Sequence, residues 1–306
     1  MSDRNSNLSL VLAVLIGLSG VVLLSRWIEQ HKPQVASVDD EQTFYVSAPV
    51  ARRLSLCFNG LVADWYWMRS LQYLGGKIIA YVETHPGYVQ MDDLSELDLR
   101  MLPRFLDSAT TLDPQFLAVY EFGGVLLPSI NEEEAIRLLK KGIAANPDKW
   151  RLYHLLGYIY WQSQRFPEAA DIYARGAKAP GAPAWVEALA ARMHADGGSR
   201  ATAREMYQRL DRDSDDKNIR KMAHSRLLQL QSFDERDLIR KILSAYSTKT
   251  GHCPQSWKEV SDPLRRSGLP VDARSGDPID PAGFPYLLTQ NGCDVDLDPK
   301  TSVPYK

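Results

Sequence analysis

Apolar positions follow three regimes along the chain. From Leu8 to Leu24 they run almost unbroken, LSLVLAVLIGLSGVVLL, inside an uncharged stretch bounded by Arg4 and Arg26. From Val50 to about residue 250 they return every three or four positions, the period of an amphipathic helix. Beyond Gly251 that period dissolves among Pro and Gly, a density no regular helix survives. Within the middle regime, Leu54, Leu61, Ala63, Trp65, Trp67, Met68, Leu71 and Leu74 predict a helix over Val50–Val82, with Cys57 in its core; the Trp65-Tyr66-Trp67 cluster suits a membrane surface or a ligand, but inward packing is the favoured expectation. Leu97, Met101, Phe105, Leu106 and Ala109 predict a second over Leu94–Leu112, after an insertion, 83–93, that turns at Pro86-Gly87. Downstream, Asn218–Gln231 and Asp234–Lys249 predict two more helices.

The first regime predicts a membrane anchor. Its 21 uncharged residues would span roughly 30 Å as a helix, the thickness of a hydrocarbon core. Trp27, Arg26 and Lys32 follow, and suit the headgroup region. No Ala-x-Ala site closes the run, so the expectation is an uncleaved single-pass helix with membrane contact through residues 8–28. Arg26 and Lys32 favour a cytoplasmic body, whereas the short leading tail has the shape of a signal anchor that exports it. The expected location is the inner membrane, with the body outside the cytoplasm.

The middle regime repeats every 34 residues. Gly123 and Gly157, Gly142 and Gly176, Tyr173 and Tyr207, and the series Ala135, Ala169 and Ala203 all keep that spacing. Pro147 and Gly181 close two units. The units are 116–149, 150–183 and 184–217, the last degenerate, with Ala191 where a helix Gly belongs. Small residues let two helices cross closely, and each hairpin buries its apolar face only against its neighbours. The pattern resembles the tetratricopeptide repeat, and the whole chain looks like bacterial membrane-anchored repeat proteins. The resemblance implies a mainly α fold: an N-terminal transmembrane helix, an α-solenoid of helix hairpins and a small α+β C-terminal module. It also implies a protein or peptide partner on the concave face of the array. Carried over by position, Tyr120, Arg151, His154, Tyr158, Trp161, Gln162, Trp185 and Arg192 would face that partner, the aromatic and Arg types common at protein hot spots.

The last 56 residues read as short strands and turns, marked by Gly251-His252-Cys253-Pro254, Asp277-Pro278 and Pro285-Tyr286. They resemble the globular end of type II secretion major pseudopilins, although a repeat array and no prepilin cleavage motif precede them. Cys253 and Cys293 either pair as a disulfide, implying an oxidising compartment, or are two separate buried thiols. Asp294, Asp296 and Asp298 alternate as calcium ligands might be spaced, but no EF-hand loop is met, and on a strand all three would face water. The expectation is no metal.

Composition changes the picture only by exclusion. With 36 basic and 38 acidic residues and a net charge of −2, the chain lacks the basic surface a nucleic-acid binder needs. Six histidines form no zinc-protease pair, and there is no phosphate loop, nucleophile elbow or dinucleotide fingerprint. No enzyme activity and no cofactor are expected. The predicted organisation is a tail and anchor (1–32), a linker (33–49), a helical array (50–233) and a Pro-rich module (234–306). The expected function is a membrane-anchored interaction scaffold, with a structural part in a secretion or pilus-like assembly as the alternative and a metal-dependent enzyme behind it.

Overall fold

The computed structural model describes residues 17–27, 45–85, 87, 92–289 and 292–305. Contacts divide the chain into two units, residues 1–53 and 54–306. Residues 17–27 are helical, and helix α1 (Ala48–Leu54) follows three residues without regular secondary structure. Among the described residues no helix is long and apolar enough to cross a membrane. The remainder of the apolar run, residues 8–16, lies outside the described residues, as does most of the linker.

The second unit opens on α2 (Asn59–Thr84) and continues through α3 (Leu102–Leu112), α4 (Leu117–Leu126), α5 (Glu132–Ala145), α6 (Trp150–Gln162), α7 (Phe166–Gly176), α8 (Ala184–Asp196) and α9 (Arg200–Asp213). Each helix packs on the next, and α4 also touches α6, the arrangement of a stack of hairpins. Local signals set the boundaries. Asn131 accepts the Glu134 N–H and caps α5, whose first turn carries Glu132, Glu133 and Glu134 toward the positive helix end. Pro167 opens α7, where a missing N–H leaves nothing unpaired.

The 34-residue period has a direct physical meaning. A Cβ on Gly157 would lie 2.8 Å from Tyr173, one on Gly142 2.8 Å from Tyr120, and one on Gly176 2.6 Å from Tyr153. In two hairpins a buried Tyr therefore packs on helix backbone left bare by glycine: the Tyr120 and Tyr173 rings on Gly142 and Gly157, and the Tyr153 Cβ on Gly176. Ala135, Ala169 and Ala203, all fully buried, keep the second helix of each hairpin equally close.

Four expectations are corrected. The long first helix is broken at residues 55–58, where Leu56 and Cys57 adopt positive φ (48° and 77°). Cys57 is therefore an exposed free thiol in a turn, not a core residue. The aromatic cluster splits: Tyr66 is buried and Trp67 packs edge-on against Phe122 at 4.9 Å, while Trp65 points outward. The helix expected over Leu94–Leu112 is a 3-10 turn (Asp92–Glu96) followed by α3 alone. Finally, the two helices expected after residue 217 are one, α10 (Lys217–Thr250), because nothing between Gln231 and Asp234 interrupts the backbone. It ends at Gly251, in the left-handed region at φ 79°.

The far end of α10 builds the second core. Ile239 and Leu243 pack with Trp257, Val260, Leu264, Tyr286, Val295 and Leu297. A short helix, α11 (Ser261–Arg266), and an antiparallel pair of strands, β1 (Leu287–Leu288) and β2 (Val295–Asp296), complete it, in the register Leu287 to Asp296 and Leu288 to Val295. Cys253 and Cys293 are joined by a disulfide, with Cα atoms 5.2 Å apart. Trp257 Nε1 donates to the Tyr286 carbonyl at 3.0 Å, and the Tyr286 hydroxyl donates to Glu235 on α10 at 2.8 Å.

Candidate functional site

The first helix of each hairpin lines a chain of three adjoining hollows. The first, about 380 Å³, lies between α4, α6 and α8, walled by Glu121, Val125, Trp150, Arg151, His154, Leu155 and Trp185. His154 also walls the second, about 240 Å³, with Tyr158, Trp161, Tyr173, Leu189, Arg192 and Met193. Arg192 in turn walls the third, about 370 Å³, which reaches α10 and the chain end through Tyr207, Arg226, Gln229, Phe233 and Tyr305. Helical spacing produces this row: Trp150, His154 and Tyr158 are four residues apart on α6, and Trp185, Leu189 and Arg192 follow the same stripe on α8.

The rings hold one another in place. Trp185 meets Trp150 edge-on at 5.4 Å and His154 at 5.0 Å, and His154 lies 5.9 Å from Tyr173. Tyr158 meets Trp161 at 5.7 Å, and the Arg192 guanidinium stands 5.0 Å over the Trp161 ring. Cation and indole are thereby pre-arranged, with Asp196 3.5 Å from Arg192. Arg151 stands 5.7 Å over Trp150. Burial pushes the His154 ring below its usual pKa, so the neutral imidazole prevails at pH 7. Its Nδ1 is buried without a hydrogen-bond partner. An unpaired buried polar atom is costly, and in a binding groove it is a ready contact for a polar group of a ligand. Burial also raises the Tyr173 hydroxyl, and lifts that of Tyr207 to about 12, so both rings stay neutral.

Of the residues expected to face a partner, six line these hollows: Arg151, His154, Tyr158, Trp161, Trp185 and Arg192. Gln162 is exposed beside them and donates to the Tyr158 hydroxyl at 2.7 Å. Tyr120 is a correction. It is fully buried over Gly142, with its hydroxyl pushed by burial to about 12, and belongs to hairpin packing. Trp150 was missed, although it lies one helical turn before His154 on the same stripe. The third hollow was missed because Tyr305 and Phe233 come together only through the fold.

The C-terminal aspartates do not form a metal site. Asp294 accepts from Arg240 Nε at 2.7 Å, and the Arg240 hydrogen bond chiefly holds its carboxyl below the usual range. Asp296 accepts the Leu297 N–H and Asp298 the Lys300 N–H. Asp298 is thereby spent on turn geometry, and Asp294 on an ion pair with α10. Among the described residues no group of three His, Cys, Asp or Glu side chains is placed to share a metal ion.

Comparison with known proteins locates the repeats. Residues 131–193 match the family model for the tetratricopeptide repeat, a span that runs from the cap of α5 into α8 and holds the walls of the first two hollows. None of the curated proteins compared matches the chain. Among solved structures, PilF of Pseudomonas aeruginosa aligns at 18% identity over 68% of this chain and 93% of that chain, with a TM-score of 0.30, too low to equate the two folds. Over residues 131–193 the chain thus matches the tetratricopeptide repeat in sequence, and its helices there pack as successive hairpins.

Proposed function

We propose that the chain is a membrane-tethered scaffold whose tetratricopeptide array holds an extended segment of a partner protein against the hollows of α4, α6 and α8. One observation carries this reading: Trp150, Trp185, Trp161 and Arg192 line two adjoining hollows that share His154 as a common wall. Aromatic rings fixed by neighbours lose little entropy on binding, and a guanidinium on an indole adds a charged anchor. This face would be the concave one. The tether is the apolar run Leu8–Leu24, and a disulfide between Cys253 and Cys293 supports a body on the oxidising side of the inner membrane. No catalytic role is part of this reading.

The test pairs capture with direct titration. Proteins retained by the wild-type chain and lost from both Trp185→Ala and Arg192→Glu are identified, and synthetic segments of them are titrated by tryptophan fluorescence. A tenfold or greater loss of affinity in each variant, at unchanged circular dichroism, supports the reading. Equal affinities for wild type and both variants refute it.

A second reading is a structural part of a secretion or pilus-like assembly. The long helix α10 packed on a disulfide-closed, two-stranded module favours it. A chain ending before Gly251 that still enters the same envelope complex would remove it.

A further inference from the structure

Arg236, on α10, is a buried cation with unused donors. It is 9% exposed. Its Nε and Nη2 are both buried, and among the described residues neither has a hydrogen-bond partner. These two N–H groups point the same way and form the edge of a guanidinium that grips a carboxylate in two parallel bonds. A buried charge left unbonded weakens a fold, so the fork calls for an acceptor from outside it. The neighbouring acids are engaged elsewhere. Glu235 accepts from Tyr286 and Gln231. Asp294 accepts from Arg240 at 2.7 Å, and Asp237 from Arg200 at 2.6 Å.

The third hollow lies beside this fork. Arg226, Gln229, Phe233 and Arg236 follow one another at helical spacing on α10, and the first three are walls of the hollow. The Arg236 guanidinium stands 5.1 Å over the Phe233 ring. Tyr305, another wall, is within its electrostatic reach: burial, then Asp296 and Asp298, raise the Tyr305 hydroxyl, and the Arg236 charge opposes them. Positive charge is in excess here. Arg192 and Arg226 in the wall, with Arg236 behind it, outnumber Asp196, which already lies 3.5 Å from Arg192. Ala195, Tyr207, Leu230 and Phe233 make the rest of the lining apolar. Tyr305 is the wall that no helix fixes; it is half-exposed and held by its hydroxyl donating to the Leu297 carbonyl at 2.8 Å.

We infer that the third hollow binds a carboxylate carried on an aromatic or apolar body. Tyr305 turns aside, Arg236 grips the carboxylate with its fork, Arg192 and Arg226 add charge, and Tyr207 and Phe233 hold the body. Arg226, Phe233, Arg236 and Tyr305 lie beyond residues 131–193, so this site is not part of the matched repeats. The acid is a free small molecule or an acidic side chain of the segment held in the adjoining hollows; only the second source rests on the scaffold reading.

The full chain in detergent is titrated by calorimetry with 3-phenylpropionate, with its uncharged amide, with inorganic phosphate and with an end-blocked glutamyl-phenylalanine dipeptide. An acid is expected to bind saturably and to raise the melting temperature by about 3 °C at ten times its Kd, and the amide to do neither. Tighter binding of the dipeptide supports the site with a protein source, and tighter binding of the free acid supports it with a small molecule. Arg236→Met should melt at or above the ligand-free wild type, because the unbonded buried charge is gone, and should lose affinity about tenfold or more. Arg226→Gln should weaken the acid without that gain in stability. Trp185→Ala, outside this hollow, should bind the acid as wild type does, so this titration and the capture test on the groove can fail separately. Binding of neither acid, equal binding of acid and amide, phosphate binding as tightly as the acids, or wild-type affinity in Arg236→Met overturns the inference. So does an Arg236→Met chain that melts well below ligand-free wild type, since the fork would then hold the fold and not a ligand.

Discussion

Replacing Gly157 with Ala drives a methyl group into the face of Tyr173. The new Cβ would lie 2.8 Å from Cζ and 2.9 Å from both Cε atoms, against a carbon–carbon optimum of about 3.5–4.0 Å. The contact falls on the ring itself, which is 1% exposed and backed by His154 at 5.9 Å, so the obstacle is not the loose end of a flexible chain. The ring must retreat by roughly 0.7 Å, and such overpacking costs about 1–3 kcal/mol. Better helix propensity returns about 1 kcal/mol. The expected net loss is therefore about 1 kcal/mol, and larger for Gly157→Val, which gains less propensity and adds two more methyl groups to the same contact. Tyr173→Ala alone should cost about 3–5 kcal/mol through the cavity it leaves. In the double variant the methyl enters that vacated space, so the combined loss should fall short of the sum by about 1 kcal/mol or more. Urea midpoints followed by far-ultraviolet circular dichroism, compared at a common slope, give these values. A Gly157→Ala chain as stable as wild type, or strict additivity in the cycle, would refute the account of why glycine recurs every 34 residues. The same shift moves His154, so partner affinity in the groove should weaken alongside stability.

Two further outcomes follow from the C-terminal core. Opening the disulfide with Cys253→Ser/Cys293→Ser frees a loop set by a separation of 40 residues, and chain entropy puts the loss near 4 kcal/mol; calorimetry with and without reductant should show the wild type melting earlier only when reduced, and equal melting would contradict it. Burial, opposed by hydrogen bonds from Gln231 and Tyr286, raises the Glu235 carboxyl above its ordinary 4.5. The folded chain thus binds that proton more tightly than the unfolded one, and stability falls as pH rises from 4.5 through the folded value. Glu235→Gln should flatten that slope in urea midpoints measured from about pH 4 to 8. A variant with the wild-type slope would assign the pH dependence to another group.

The hairpins were legible because their spacing is forced. A second helix can come this close only where a side chain is missing, so Gly142, Gly157 and Gly176 mark the crossings in the sequence itself. Six groove residues were legible for a related reason, since a face of an array follows from helical spacing once the period is known. Tyr120 failed because its neighbour decides its direction: Gly142 opens a slot on the far side and the ring enters it. Trp65 failed because apolar periodicity reports that a residue is hydrophobic, not that its face is covered, and Cys57 failed because the helix breaks into a turn there. The C-terminal aspartates keep the solvated face that their alternation predicts, with Asp294 and Asp296 exposed on either side of buried Val295; their partners, Arg240 and nearby backbone N–H groups, were not legible, nor were Ala282 and Phe284 as donors to the buried Asp280. Loop hydrogen bonds of that kind depend on φ and ψ, and leave only a faint trace in composition.

Helix α10 has 34 residues and so measures about 50 Å. Its first half packs on α9 and its second half on the disulfide-closed module, and Gln229, a wall of the third hollow, also holds the Pro304 carbonyl at 3.2 Å. A strut of this kind has no hinge between the parts it joins. Load applied to the module is passed along the rod to the last hairpin without being absorbed by a linker. The last hairpin and the module must therefore tilt as a single lever, and whatever seizes one of them sets the bearing of the other.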